Sequence, residues 1–188
     1  MDEQKDISKH LLAQSFQTLL KSYPFEKITI KMITDQCGFI RPTFYKHFQD
    51  KYEIIEWVFQ TQVVDQVDVL INNHMEQDLH KLLFQCIYNE KDFFKKILSI
   101  QGPQSFESLL NRYLLVVFEI IFNRCNYQPP KELPFLSKDL AIHYLCYETT
   151  QFIRIWLEMD NPLPPKELSL AFEYLKYHSL SEFFNENE

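Results

Sequence analysis

Glycine is nearly missing from this chain: Gly38 and Gly102 are the two among 188 residues. Loops that cradle phosphate groups need several glycines for close backbone approach, which argues against enzymes built on such loops. The four cysteines, Cys37, Cys86, Cys125 and Cys146, are scattered, with no C-x-x-C pair and no histidines at zinc-finger spacing. Free thiols in a reducing cytoplasm are expected. The opening Met-Asp-Glu-Gln-Lys-Asp is charged and no apolar stretch follows it, so no signal peptide is expected. Long hydrophobic runs are lacking too. The greasiest, Tyr113 to Phe122, contains Glu119 and is too short to span a bilayer, so no membrane association is expected.

Aromatics, by contrast, are plentiful at 15 %, within an apolar fraction of 46 %, enough for a sizeable core. Long runs at helical spacing and the shortage of glycine predict an all-α protein. The net charge of −7 is unevenly placed. Residues 1–60 carry eight Lys/Arg and eight Asp/Glu, whereas residues 61–188 carry eleven against eighteen. A small N-terminal module over 1–60 and a larger acidic one over 61–188 are therefore expected. Within 21–51, six basic residues face three acidic ones, a modest positive footprint suited to phosphate contacts.

That footprint coincides with the most informative stretch, Thr29 to Lys51. Thr29 can cap a short helix whose inward face is Ile30, Ile33 and Cys37. Gly38 supplies the left-handed residue that ends it. Pro42 restarts a helix, its fixed φ suiting the first turn. Phe44 and Phe48, four apart, turn to the core. Arg41, Thr43, Tyr45, Lys46 and His47 are left outside or at the exposed end. Asp50 can cap a third helix with Lys51 in its first turn, where helix end and ammonium would together attract a phosphate. A short polar helix after a glycine-containing turn is what helix-turn-helix reading of the DNA major groove requires.

The same stretch resembles the DNA-binding domain of the TetR family of transcriptional regulators. The resemblance rests on Ile28-Thr29, Ile33, Gly38, the run Thr43-Phe44-Tyr45-Lys46-His47-Phe48, and Lys51, and it covers about residues 7–60. Two positions depart from the pattern: Ile40 stands where Ser or Thr often caps the recognition helix, and Thr34 where Ala is common. The resemblance implies a DNA-binding set of Thr29, Lys31, Arg41, Pro42, Thr43, Tyr45, Lys46, His47 and Lys51. Arg41 would donate to guanine, Pro42 would touch a thymine methyl, and Thr29, Thr43, Tyr45, His47 and Lys51 would hold phosphates, with Lys31 able to serve either way.

Around this module the stripes are regular. Ile7 to Leu20 predict a first helix over about 6–21, and Ile54 to Leu70 one unbroken helix over about 50–72. Phe106 to Ile121 hold helical spacing with apolar residues on nearly all sides, which predicts a central helix. Two long helices, about 138–159 and 165–184, are expected side by side and antiparallel. Their outer stripes, Leu145, Phe152 and Trp156 with Leu168, Phe172, Leu175 and Phe183, exceed what one small module needs to cover. In TetR-like proteins such helices pair with their copies, so a homodimer through them is expected. Phe84, Tyr88, Phe106 and Tyr113 are candidates to line a ligand pocket between helices, with ordinary core as the alternative. His143 with Cys146, and His74 with His80, offer too few ligands for a metal. No cofactor is expected.

The expectation is thus a cytoplasmic, homodimeric repressor that binds a palindromic double-stranded DNA operator and answers to a small-molecule effector. The rivals are a helical protein-binding co-regulator without DNA affinity, disfavoured by the intact Thr-x-Tyr-x-His run, and a small helical enzyme, for which no catalytic set can be named.

Overall fold

The stripes fold as helices, and no strand occurs among the described residues. The computed structural model describes residues 2–178, with side chains from residue 7 onward. Helix α1 (Asp2–Ser22) starts earlier than expected and stops before Tyr23-Pro24, since a residue preceding proline is pushed out of the helical region. Its inner face, Leu12, Phe16 and Leu20, lies under α2 (Ile30–Gln36), and α3 (Arg41–Tyr45) closes on α2. Ser15, buried in α1, donates to the Ile33 carbonyl at 2.6 Å and ties the two helices together.

Helix α4 (Lys51–Phe59) then leaves this module through a π-helical turn (Gln60–Val64) into α5 (Asp65–Asn72). The chain stays helical, as expected, but the ladder is not regular: the Asp65 N–H bonds the Gln60 carbonyl, five residues back. Thr61 supplies a cause. Its hydroxyl donates to the carbonyls of Trp57 and Val58 at 3.0 and 3.2 Å and competes with the ladder there. The predicted break at Asn72-Asn73-His74 is real, with His74 in the left-handed region at φ 58°.

The second module is α6 (Leu79–Asn89), α7 (Lys91–Ile97), α8 (Phe106–Arg124), α9 (Lys138–Glu158) and α10 (Pro165–Tyr177). Ser105 and Ser137 cap α8 and α9 through the N–H groups of Ser108 and Leu140. The core of this module centres on Phe84, Leu110, Leu114, Ile153 and Trp156.

Three expectations need correction here. Helix α8 is not enclosed on all sides, because Val116 and Ile120 are exposed. Helix α9 lies along α8, while the main backbone neighbour of α10 is α6. The extended Pro162-to-Pro164 connection is what lets α10 depart from α9, and Trp156 fixes its course by donating from Nε1 to the Leu163 carbonyl at 3.0 Å. Finally, the stripes expected to face outward mostly face inward. Trp156, Leu168 and Phe172 are buried, and Leu145 and Phe152 pack against the core. Leu175 alone of that set is exposed, while Phe183 and the expected helical continuation to residue 184 lie outside the described residues.

Candidate nucleic-acid interface

The turn between α2 and α3 is built from local chemistry. Thr29 Oγ1 accepts the Met32 N–H at 3.2 Å and caps α2. At the other end Gly38 sits at φ 71°, with the Phe39 N–H on the Thr34 carbonyl and the Gly38 N–H on the Asp35 carbonyl. This is the Schellman arrangement, and it needs a left-handed residue at Gly38. Space around Gly38 is open, so the backbone angle and not crowding demands glycine.

Ile40 caps the start of α3: its extended backbone (φ −104°, ψ 154°) receives the N–H groups of Thr43 and Phe44 on its carbonyl, and its side chain offers no cap. Phe44 and Phe48 are buried with ring centres 5.9 Å apart, and Phe48 meets Trp57 of α4 edge-on at 6.2 Å. These anchors leave Arg41, Pro42, Tyr45 and Lys46 exposed, with Thr43 and His47 half-buried beside them. Ile40, which the sequence reading did not assign to the interface, is 67 % exposed next to Arg41. An apolar residue at the cap position was the available signal.

Two predicted phosphate contacts already have partners. Lys31 forms an ion pair with Asp35 one turn along α2, an exposed pair of small worth. The Lys51 ammonium is turned inward. It donates to the carbonyls of Phe25 at 2.6 Å and Ile28 at 3.1 Å, and lies 4.0 Å from the centre of the Phe25 ring. Burial lowers its pKa, opposed by the nearby Glu26 carboxylate. Asp50 accepts the N–H groups of Tyr52 and Glu53, so the helix end expected to attract a phosphate is capped by this carboxylate.

The four candidate pocket residues do not come together. Phe84 is fully buried against Phe152, Trp156 and Phe172, and Tyr88 stacks on Trp156 at 6.0 Å. Phe106, also buried, packs on Phe59 and Phe94, and Tyr113 meets Phe59 while its hydroxyl donates to Asp68 at 2.8 Å. Of these four, Tyr88 borders an open cleft, which lies between α1 and α7.

A three-helix reading module with an exposed polar recognition helix, continued through helical backbone into a helical body, defines a helix-turn-helix regulator. The family description "Bacterial regulatory proteins, tetR family" matches residues 18–58, and "Transcriptional regulator C-terminal region" of the same family matches residues 73–176. This chain belongs to the TetR family of transcriptional regulators: a DNA-binding protein and not an enzyme.

Similar proteins include the HTH-type dhaKLM operon transcriptional activator DhaS of Lactococcus lactis subsp. lactis (strain IL1403). It is 22 % identical over 140 residues, or 74 % of this chain and 72 % of that protein. The uncharacterized HTH-type transcriptional regulator YxbF of Bacillus subtilis (strain 168) is 22 % identical over 166 residues, covering 83 % of this chain and 41 % of YxbF. The solved structure of a dihydroxyacetone kinase operon activator DhaS superimposes with a TM-score of 0.65 at 22 % identity, over 90 % of this chain and 94 % of that one. That likeness establishes the shared fold. Among the described residues, no helix is long and apolar enough to cross a membrane.

Proposed function

We propose that this regulator binds a near-palindromic operator as a homodimer, represses transcription from it, and is released by a small-molecule effector. The observation that carries the reading is the exposed row Arg41, Pro42, Tyr45 and Lys46 on a helix locked to the core by Phe44 and Phe48. Arg41 suits bidentate donation to guanine, and Pro42 an apolar contact with a thymine methyl. Thr29, Lys31, Thr43, Tyr45, Lys46 and His47 are the proposed phosphate contacts, with Lys51 joining them if its ammonium exchanges backbone carbonyls for a phosphate.

The dimer reading now rests on different residues from those expected. Val116 of α8, Leu140, Tyr144, Tyr147 and Ile155 of α9, and Leu170, Leu175 and Tyr177 of α10 are large apolar or aromatic side chains left exposed. Apolar surface on this scale, concentrated on the C-terminal helices, is suited to a partner copy. A helix-turn-helix dimer then reads half-sites about one helical turn apart.

Activation is the second reading, favoured by the similarity to DhaS, which is named as an operon activator. The experiment is selection of bound duplexes from random DNA at moderate salt, followed by transcription in vitro from a promoter carrying the selected site. Selected sites without two-fold symmetry would exclude the dimeric reading. Transcript that rises on adding the protein would replace repression with activation.

A further inference from the structure

We propose that the cleft between α1 and α7 is the effector site of this regulator and takes a small polyanion, a phosphate ester or a polycarboxylate. The inference rests on the ligand-responsive reading above. The cleft, of about 1410 Å³, runs from the last turns of α1 and the Ser22-to-Phe25 connection to the corner between α6 and α7. Lys21, Lys91, Lys95 and Lys96 line it, against the carboxylates of Glu90 and Asp92. In a chain of net charge −7 this is a local reversal of sign.

Two of these lysines, Lys91 and Lys95, are held without being neutralised. Among the described residues, none of the four takes part in an ion pair. Lys95 Nζ is anchored on the Met159 carbonyl at 2.8 Å. Lys91 Nζ rests 4.3 Å above the Tyr88 ring, itself stacked on Trp156. Glu90 is occupied by the Gln17 amide, which donates to it at 3.3 Å across the cleft. Leu20, Phe25 and Phe93 add low-dielectric wall, which strengthens the field of the ammonium groups inside a concavity over that on an open face.

Place gives the site its regulatory meaning. One wall belongs to the DNA-reading module and the other to the body, so an anion spanning Lys21 and Lys96 binds one relative placement of the two better than another. Such unequal affinity is what a ligand needs in order to shift an equilibrium. Phe84 and Phe106, by contrast, are buried side chains of the core and line no part of this cleft.

The test is calorimetric titration of the full chain with inorganic pyrophosphate and with tricarballylate at constant ionic strength. The proteins compared are the wild type, the double variant Lys21→Gln/Lys96→Gln, and Lys81→Gln, an exposed lysine of α6 away from the cleft. Thermal melts establish that each variant is folded. Saturable binding is expected, weakened at least about tenfold in the double variant and unchanged in Lys81→Gln. Preference for pyrophosphate assigns a phosphate ester; preference for tricarballylate assigns a carboxylate metabolite. No saturable heat with either probe, or equal affinity in the double variant, overturns the site.

Gel shifts on a selected operator, again at constant ionic strength, should show operator affinity changed about 5–150-fold by the preferred anion. Anion binding that leaves operator affinity untouched overturns the effector assignment. A double variant that merely lowers the salt slope of DNA binding makes the cleft a DNA-backbone contact, which also overturns it. Failure to select any operator while pyrophosphate still binds would remove the DNA-reading proposal and leave the cleft standing.

Discussion

Lys51 and Phe25 are joined twice: the ammonium donates to the Phe25 carbonyl at 2.6 Å and sits 4.0 Å from the centre of the Phe25 ring. With the Ile28 carbonyl also on this ammonium, the first residue of α4 holds the Phe25–Lys27 turn that leads into α2. Lys51→Met keeps the stem on the ring and removes the donors. It should cost about 1–2 kcal/mol of stability without DNA, read as a shift in the denaturant midpoint. Unchanged stability, with all sequences bound more weakly and a salt slope lower by about one, would return Lys51 to the phosphates.

Arg41 stands exposed in the first turn of α3, directly after the exposed Ile40. Arg41→Ala should cost about 1–3 kcal/mol on the best operator and relax preference at one position of each half-site. Binding measured across a panel of single-base operator variants checks this. Uniform weakening across the panel would make Arg41 a phosphate contact instead.

Leu168 and Phe172 make α10 part of the core, so deleting it would unfold the body before testing the dimer. Charges on the exposed face are the cleaner probe. Tyr144→Glu with Tyr147→Glu on α9 should leave a folded, cooperatively melting chain, its midpoint no longer dependent on protein concentration, and turn a dimer into a monomer in sedimentation. Specific DNA affinity should fall with it, because two linked half-site contacts become one. A double variant that sediments as a dimer places the interface elsewhere.

His80 predicts a pH dependence. Its Nε2 lies 3.3 Å from Thr149 Oγ1 and its ring centre 4.5 Å from that of Phe172, with Phe84 and Phe118 nearby. Burial, aided by the Lys176 ammonium, pushes its pKa down to about 4. Below about pH 6.5 the unfolded chain takes up a proton that the folded one refuses, so stability falls as pH drops toward 4. The loss is on the order of 2–3 kcal/mol. His80→Gln can keep a hydrogen bond to Thr149 and should flatten that slope in urea melts between pH 6.5 and 4.5. Glu76 and Glu119, whose pKa values are lowered chiefly by a backbone hydrogen bond and by Lys138 respectively, lose their contribution at lower pH still. Equal slopes in wild type and His80→Gln would show that this ring does not carry the acid sensitivity.

Residue type and spacing alone determined the parts whose physics is local. Thr29 and Asp50 cap, Gly38 closes a helix, Pro42 opens one, and Phe44 and Phe48 face inward because they are one turn apart. Each depends on partners within a few residues, so the all-α fold and the reading module were legible before any tertiary contact was known. What covers an apolar stripe is not local. Periodicity announced the stripe of Trp156, Leu168 and Phe172 equally well for a core or a dimer interface. Only the course of α10 onto α6 decided that it faces inward. The intramolecular partners of Lys51 likewise belong to the tertiary structure. Its carbonyl partners lie 26 and 23 residues away, and no spacing rule connects an ammonium to backbone acceptors at that distance. The lysine-lined cleft joins α1 to α7, more than sixty residues apart in sequence, and tertiary packing alone brings its two walls together.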